Sequence, residues 1–287
     1  GIWGSCYKMQ LTPEQVKGKI KNIAKEKKAD ARILMRLHMM ERFLERVSLS
    51  RYKDNFIMKG GMLVTAMVGV SLRSTMDIDT SIKNQNLSAE DARKIIEEIK
   101  DIDLGDGVTF EVKGVSNIMD EMEYPGVRFA MNAVMGKLIT PMKIDISTGD
   151  VITPRAIEFH YKLLLEDRFI SLWSYNLETI LAEKIQTVLA RGLLNTRMRD
   201  FYDIKILLSI YEKEIDDHVL KDAFDATCKK RNTENLRTDA TKIITDIGTD
   251  RQLHILWESY QKKYPYASDI SYEDIMEDIK LLWERIR

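Results

Sequence analysis

The chain is expected to be an α+β protein, and three observations predict it. Helix-forming sequence fills Thr12 to about Ser50, strand-like runs separated by Gly, Pro and Asp/Asn clusters occupy the middle, and long amphipathic segments dominate after Pro154. The expected divisions are an N-terminal helical segment over 9–50, an α/β core over 51–155 and a helical domain over 156–287. The opening GIWGSCYK, residues 1–8, precedes Met9 and reads as a cloning remnant, because it has neither a charged n-region nor an extended apolar stretch.

In the lead-in, Ile33, Leu34, Leu37, Met40, Phe43 and Leu44 recur at helical spacing. Asn55 to Lys59 (NFIMK) reads as a buried strand, Gly60-Gly61 as a turn, and Met62 to Val68 as a short apolar helix. DIDTSI is the next strand. Asn86 to Lys100 carries Ser88 as an N-cap and Ile95, Ile96 and Ile99 as an apolar face, so a helix is expected there. VTFEVKGV, VRFAMNAVM and MKIDIST follow as strands. Helices are expected over Leu177–Leu194, Arg199–Glu214, Asp217–Cys228, Arg237–Asp246 and Tyr272–Arg287.

Composition narrows the function classes. With 287 residues the chain is long enough for a sizeable core, and 44 basic residues against 45 acidic ones leave no bulk positive charge for indiscriminate nucleic-acid binding. An RNA partner would need a local basic patch. The two cysteines, Cys6 and Cys228, make neither a disulfide framework nor a paired metal-ligand spacing, so a cytoplasmic setting is the default. The longest apolar stretch, Met62 to Leu72, is about half of the roughly 20 residues that a membrane-spanning helix needs.

The chemistry starts from KGG and DID. On a strand, side chains alternate faces, so Asp77 and Asp79 point one way and Ile78 the other. Two carboxylates that close repel one another unless a cation lies between them, and two carboxylates plus substrate phosphates are what Mg²⁺ prefers. The bland reading of D-x-D is a loop or cap. An EF-hand is excluded, since no glycine stands sixth or glutamate twelfth from Asp77. Gly60-Gly61 opens either an ordinary turn or a helix terminus whose free N–H groups receive phosphate. In MKIDIST, Asp145 shares a face with Lys143 and Ser147, and could join Asp77 and Asp79 from a neighbouring strand as a third metal ligand and proton acceptor. A second D-x-D, in DIDLGDG at 101–107, reads as a turn without function.

In the second half, Lys184 interrupts the stripe of Leu177, Ile180, Leu181, Ile185 and Val188, so it either snorkels at the edge or points at an anion. Asp200 and Asp203 lie on the packing side of their helix with Ile204 and Leu207. Lys184, Arg197, Arg199, Asp200 and Asp203 either satisfy one another or close over a nucleotide. KKRNTENLR, Lys229 to Arg237, is either a solvated helix terminus or an RNA contact.

KGG with LRSTMDID, then MKIDISTGDVITP, YNLETILAEKIQTVLARG and NTRMRDFYDI together resemble the AbiEii family of nucleotidyltransferase toxins from abortive-infection toxin–antitoxin pairs. The resemblance runs from about Met9 to the C-terminus. It implies a DNA-polymerase-β-like core, a helical C-terminal lobe and a nucleotide-binding cleft. It also implies an NTP substrate, GTP or a pyrimidine NTP, whose NMP is transferred with Mg²⁺ to the 3′ end of tRNA, which would block translation in phage defence. By motif, Gly60 and Gly61 would hold phosphates, Asp77 and Asp79 metal, Lys184 the triphosphate, and Asp203 with Asp200 would complete the essential set. Arg73, Ser74 and Thr75 would contact nucleotide or position their loop. The implied partner is a winged-helix antitoxin, in some members without a stable complex. The competing readings are a kinase-like phosphotransferase and a non-catalytic GTP-binding toxin.

Overall fold

The computed structural model describes residues 10–83, 87–118 and 125–287. The opening residues 1–8 with Cys6, Met9, and Asn86 at the expected start of the fourth helix lie outside the described residues. The elements are α1 (Pro13–Lys27), α2 (Ala31–Leu49), β1 (Phe56–Lys59), α3 (Gly60–Val68), β2 (Asp77–Ile82), α4 (Ala89–Lys100), β3 (Thr109–Ile118), β4 (Gly126–Met135) and β5 (Leu138–Thr148). There follow β6 (Ile157–Lys162), β7 (Phe169–Ser174), α5 (Leu177–Arg191), α6 (Met198–Tyr211), α7 (Asp217–Lys230), α8 (Leu236–Thr249), α9 (Arg251–Lys263) and α10 (Tyr272–Ile286). The strands form one mixed sheet in the order β3-β4-β5-β2-β1-β7-β6, so the expected α+β class with its C-terminal helices is what the chain adopts.

The chain divides into two compact units, residues 1–56, 75–148 and 160–172 in the first and 57–74, 149–159 and 173–287 in the second. In the first, Thr12 and Ser88 build capping boxes on α1 and α4, and the Asp30 carboxylate accepts from the N–H groups of Arg32 and Ile33 at the start of α2. Lys28, in the left-handed region with φ 53°, separates α1 from α2, so the helical lead-in is two helices. α2 packs on β5 and α4 with Met39, Met40, Phe43 and Leu44 buried. β5 pairs antiparallel with β4 and parallel with β2. It starts earlier than MKIDIST and includes Pro141, which lies ahead of Lys143, where pairing with β2 begins, so its missing N–H removes no bond to β2.

α2 also buries charge. Arg46 donates to both carboxylate oxygens of Asp106 at 2.9 and 3.0 Å and to the carbonyls of Ile102 and Val108, which fixes DIDLGDG as the expected turn. Glu41 accepts from the Tyr161 hydroxyl at 2.8 Å and the Leu164 N–H at 2.9 Å. Burial, outweighing those two bonds, pushes the Glu41 carboxyl up to about 7. Because its folded value lies above the ordinary 4.5, the unfolded chain loses this proton first, and stability falls as pH rises from about 4.5 to about 7. Glu41→Gln is expected to flatten that decline by about 2–3 kcal/mol, read as the difference between parent and variant in urea unfolding at pH 5 and pH 8.

In the second unit, β1 and β7 pair in parallel, Ile57 against Trp173 and Met58 against Ser174. α5 buries Ile180, Leu181, Ile185 and Val188, the stripe expected of it, and packs on α6 and α7. α7 and α10 meet through Phe224 and Trp283, and Tyr272 of α10 donates to the Ile247 carbonyl at 2.6 Å.

Candidate functional site

The residues singled out from the sequence fall into two groups, one in each unit. In the first, β2 spans DIDTSI, as alternation requires. Ile78 is 0 % exposed, while Asp77 and Asp79 are half-buried on the opposite face. The β2–β5 register sets Asp79 against Asp145 and Asp77 against Lys143. Three carboxylates and a lysine therefore share one face. Burial first, and the Asp145 charge second, hold the Asp77 carboxyl above its ordinary range.

Asp145 departs from the role of open metal ligand. Both of its oxygens receive a bidentate fork from Arg128 on β4, Nε and Nη2 each at 2.8 Å. Among the described residues, no group of three or more His, Cys, Asp or Glu is arranged to hold a metal ion. Two carboxylates, Asp77 and Asp79, do suit Mg²⁺, which keeps waters and completes its shell with substrate phosphate. Thr75, in the same unit, is buried and donates to the Asp77 carbonyl at 3.3 Å.

In the second unit, Lys184 is not an edge lysine. Its side chain is 12 % exposed, and its ammonium lies 3.1 Å from Asp200 and 2.8 Å from Asp203. Asp203, fully buried, is also gripped by Arg73, Nε to Oδ1 at 2.7 Å and Nη2 to Oδ2 at 3.2 Å. Burial alone would raise the Asp203 carboxyl, but Arg73 and Lys184 prevail and hold it at about 2. Burial likewise opposes ionisation of Asp200, and Lys184 and Arg197 overcome it to lower that carboxyl. Arg73, expected near nucleotide, is thus a buried partner of Asp203, and the sequence pattern could not say so because the two are 130 residues apart. Ser74 is hydrogen-bonded with the Tyr266 hydroxyl.

Gly60 and Gly61 are the first residues of α3 and not a separate turn. Gly60 has φ 64°, which lets β1 break directly into the helix. Lys59, the residue before them, is buried, with its ammonium 2.5 Å from Asp150, whose side chain is 0 % exposed. Asp150 also accepts from the Tyr175 hydroxyl. Sequence reasoning missed this triad. Its signals were the lysine of KGG and the aspartate closing MKIDISTGD.

KKRNTENLR is largely structural at its arginines. Arg231 donates to Thr187 at 3.2 Å and lies 3.3 Å from Glu183, and Arg237 holds Asp225 at 2.6 Å.

A family model described as "Nucleotidyl transferase AbiEii toxin, Type IV TA system" matches residues 42–278, and the chain belongs to that family. It is a nucleotidyltransferase and a toxin of a toxin–antitoxin pair, with a nucleotide substrate and an antitoxin partner. Among solved structures, the chain is similar to a putative nucleotidyltransferase from H. pylori (15 % identity, TM-score 0.48, covering 88 % of this chain and 94 % of that one). It is also similar to JHP933 from Helicobacter pylori (14 %, 0.49, 88 % and 91 %) and to an antigenic nucleotidyltransferase-like protein from Paracoccidioides brasiliensis (11 %, 0.35, 95 % of each chain). A comparison with curated proteins finds no match. No helix among the described residues is long and apolar enough to cross a membrane.

Proposed function

We propose that this toxin transfers an NMP from an NTP to RNA, with the 3′ end of tRNA as acceptor and Mg²⁺ as the metal. The observation that carries the reading is the half-buried pair Asp77 and Asp79 facing away from fully buried Ile78, with Asp145 in register beside them. In the reaction, the acceptor hydroxyl attacks the α-phosphorus. A new P–O bond forms, the bond to the oxygen bridging α- and β-phosphorus breaks, pyrophosphate leaves, and the hydroxyl proton passes to a carboxylate of this face.

Asp77 and Asp79 are assigned to Mg²⁺, which when bound neutralises phosphate charge and aligns the attacking and leaving oxygens. Asp145, held by Arg128, positions that guanidinium and is proposed as the proton acceptor. The N-terminus of α3 at Gly60 and Gly61 offers free N–H groups to phosphate. Arg73, Lys184 and Arg197 against Asp200 and Asp203 make three cations to two carboxylates, and the surplus positive charge favours an anion such as a triphosphate. Ser74 and Thr75 position the loop between α3 and β2. Such an acceptor places the activity in the cytoplasm, and a winged-helix antitoxin would oppose it.

Incubation with RNA and NTP labelled at either the α- or the γ-phosphate tests this. Label in RNA from the α-position only is the expected result. Transfer from the γ-position only would mean a kinase-like phosphotransferase, and toxicity without label from either position would mean a GTP-binding toxin that does not catalyse.

A further inference from the structure

The segment YQKKYPY, Tyr260 to Tyr266, has no part in the reading above. α9 ends within it, and its last turn carries Lys262 and Lys263, both exposed. Tyr264 and Tyr266 follow, half-buried, with rings 5.3 Å apart and inclined by only 25°. They are continuous with an anchored ladder of rings. Tyr264 meets Tyr260 at 4.6 Å, Tyr260 stacks on buried Trp257 at 5.4 Å, and the Trp257 indole donates to the Ile270 carbonyl at 2.9 Å. The hydroxyls of Tyr260 and Tyr266 are 3.0 Å apart, and Tyr266 is bonded with Ser74, next to Arg73.

A purely structural reading accounts for the inner rings, which are core. It does not account for the outer end. There the Lys263 ammonium lies over the Tyr264 ring, 5.3 Å from its centroid, beside a second exposed lysine, so an aromatic ring and positive charge lie together at a half-buried position. From Arg251 to Tyr264 three basic residues stand against one acid, Glu258, in a chain whose overall charge is near balance. Aromatic faces combined with lysines are the chemistry that recognises single-stranded nucleic acid, where bases are free to stack and phosphates follow the cations. A duplex offers no free base face. Because the ladder is anchored through Trp257 and Tyr202, whose ring is 4.8 Å from Tyr266, it loses little side-chain freedom on binding.

We infer that Tyr264 and Tyr266, with Lys262 and Lys263, form a stacking site for the single-stranded end of the acceptor RNA. The inference deepens the RNA-transfer reading and rests on it for the identity of the ligand. The test is fluorescence anisotropy of the full chain with a labelled single-stranded oligoribonucleotide, without NTP. Tyr264→Ala is expected to weaken binding roughly 5- to 150-fold, the loss of one stacked base, while Tyr264→Phe retains it. Lys262→Ala and Lys263→Ala should each lower the slope of log affinity against log salt by about 0.7. Thermal melting and binding of a fluorescent NTP analogue should match the parent in all four variants.

Equal affinity of parent and Tyr264→Ala, loss of NTP binding along with RNA binding, or a parent that does not bind the oligoribonucleotide would each overturn the inference. Weakened RNA binding in Tyr264→Ala, in a protein that transfers no label to RNA, would uphold the stacking site and remove the transfer reading instead.

Discussion

Asp203→Ala is expected to lower the thermal unfolding midpoint by on the order of 10 °C, the largest effect on stability of any substitution at the candidate residues. The carboxylate is fully buried and stands between two cations, Arg73 at 2.7 Å and Lys184 at 2.8 Å. Alanine leaves Lys184 with Asp200, already shared with Arg197, and takes from Arg73 the carboxylate that it grips with two nitrogens. Removing one partner of a buried ion pair typically costs about 3–5 kcal/mol, most of it from the charge left behind. Arg73→Met with Asp203→Leu removes an ion pair together and should recover part of the loss.

The pH dependence follows from the same geometry. The folded carboxyl titrates at about 2 against an ordinary 3.8, so the unfolded chain takes up this proton first. Asp203 therefore contributes stability that is fully present above about pH 4 and is lost as pH falls towards 2. The contribution is about 2 kcal/mol, and acid unfolding of the parent, compared with Asp203→Asn over that interval, measures it.

How much of this was legible in the sequence depended on the distance to the partner. β2 could be read outright, since alternation around Ile78 needs only neighbouring residues, and the α5 stripe likewise. The pairing of Asp145 with Asp79 was reachable because MKIDIST shows its own alternation, but the Arg128 fork depends on the β4–β5 register. The charges on α2 look like a solvated helix face until Asp106 is found 60 residues from Arg46 and Tyr161 120 residues from Glu41.

Two missed elements were legible. β6, IEFHYK, alternates Ile157, Phe159 and Tyr161 with Glu158, His160 and Lys162, a period of two, although as an edge strand it fully buries only Tyr161. α9 sets Leu253, Leu256, Trp257 and Tyr260 at helical spacing, although it fully buries only Leu253 and Trp257. The glycine pair was readable as a backbone feature. The charge beside it was not, because Lys59 acquires meaning only when Asp150 arrives from 91 residues away.

Asp77→Asn should behave in the opposite way to Asp203→Ala, losing activity on the order of 10²–10⁴-fold while the fold stays as stable as the parent or gains. Asp203 is held down by cations, whereas Asp77 is held up by burial and by Asp145, so ionised Asp77 is under strain in the free protein. A folded carboxyl above its ordinary range makes a contribution to stability that declines as pH rises through it, and asparagine, which does not ionise, removes that decline. Melting curves of parent and Asp77→Asn at pH 3 and pH 8 should therefore diverge in the variant's favour at the higher pH, since the decline starts near the ordinary 3.8. The strain has a use if a cation relieves it. Mg²⁺ with NTP should raise the parent's melting temperature, and this rise, a readout independent of turnover, should disappear in Asp77→Asn and Asp79→Asn. A variant that melts below the parent and still shows the rise would mean that Asp77 serves the fold and that the metal binds elsewhere.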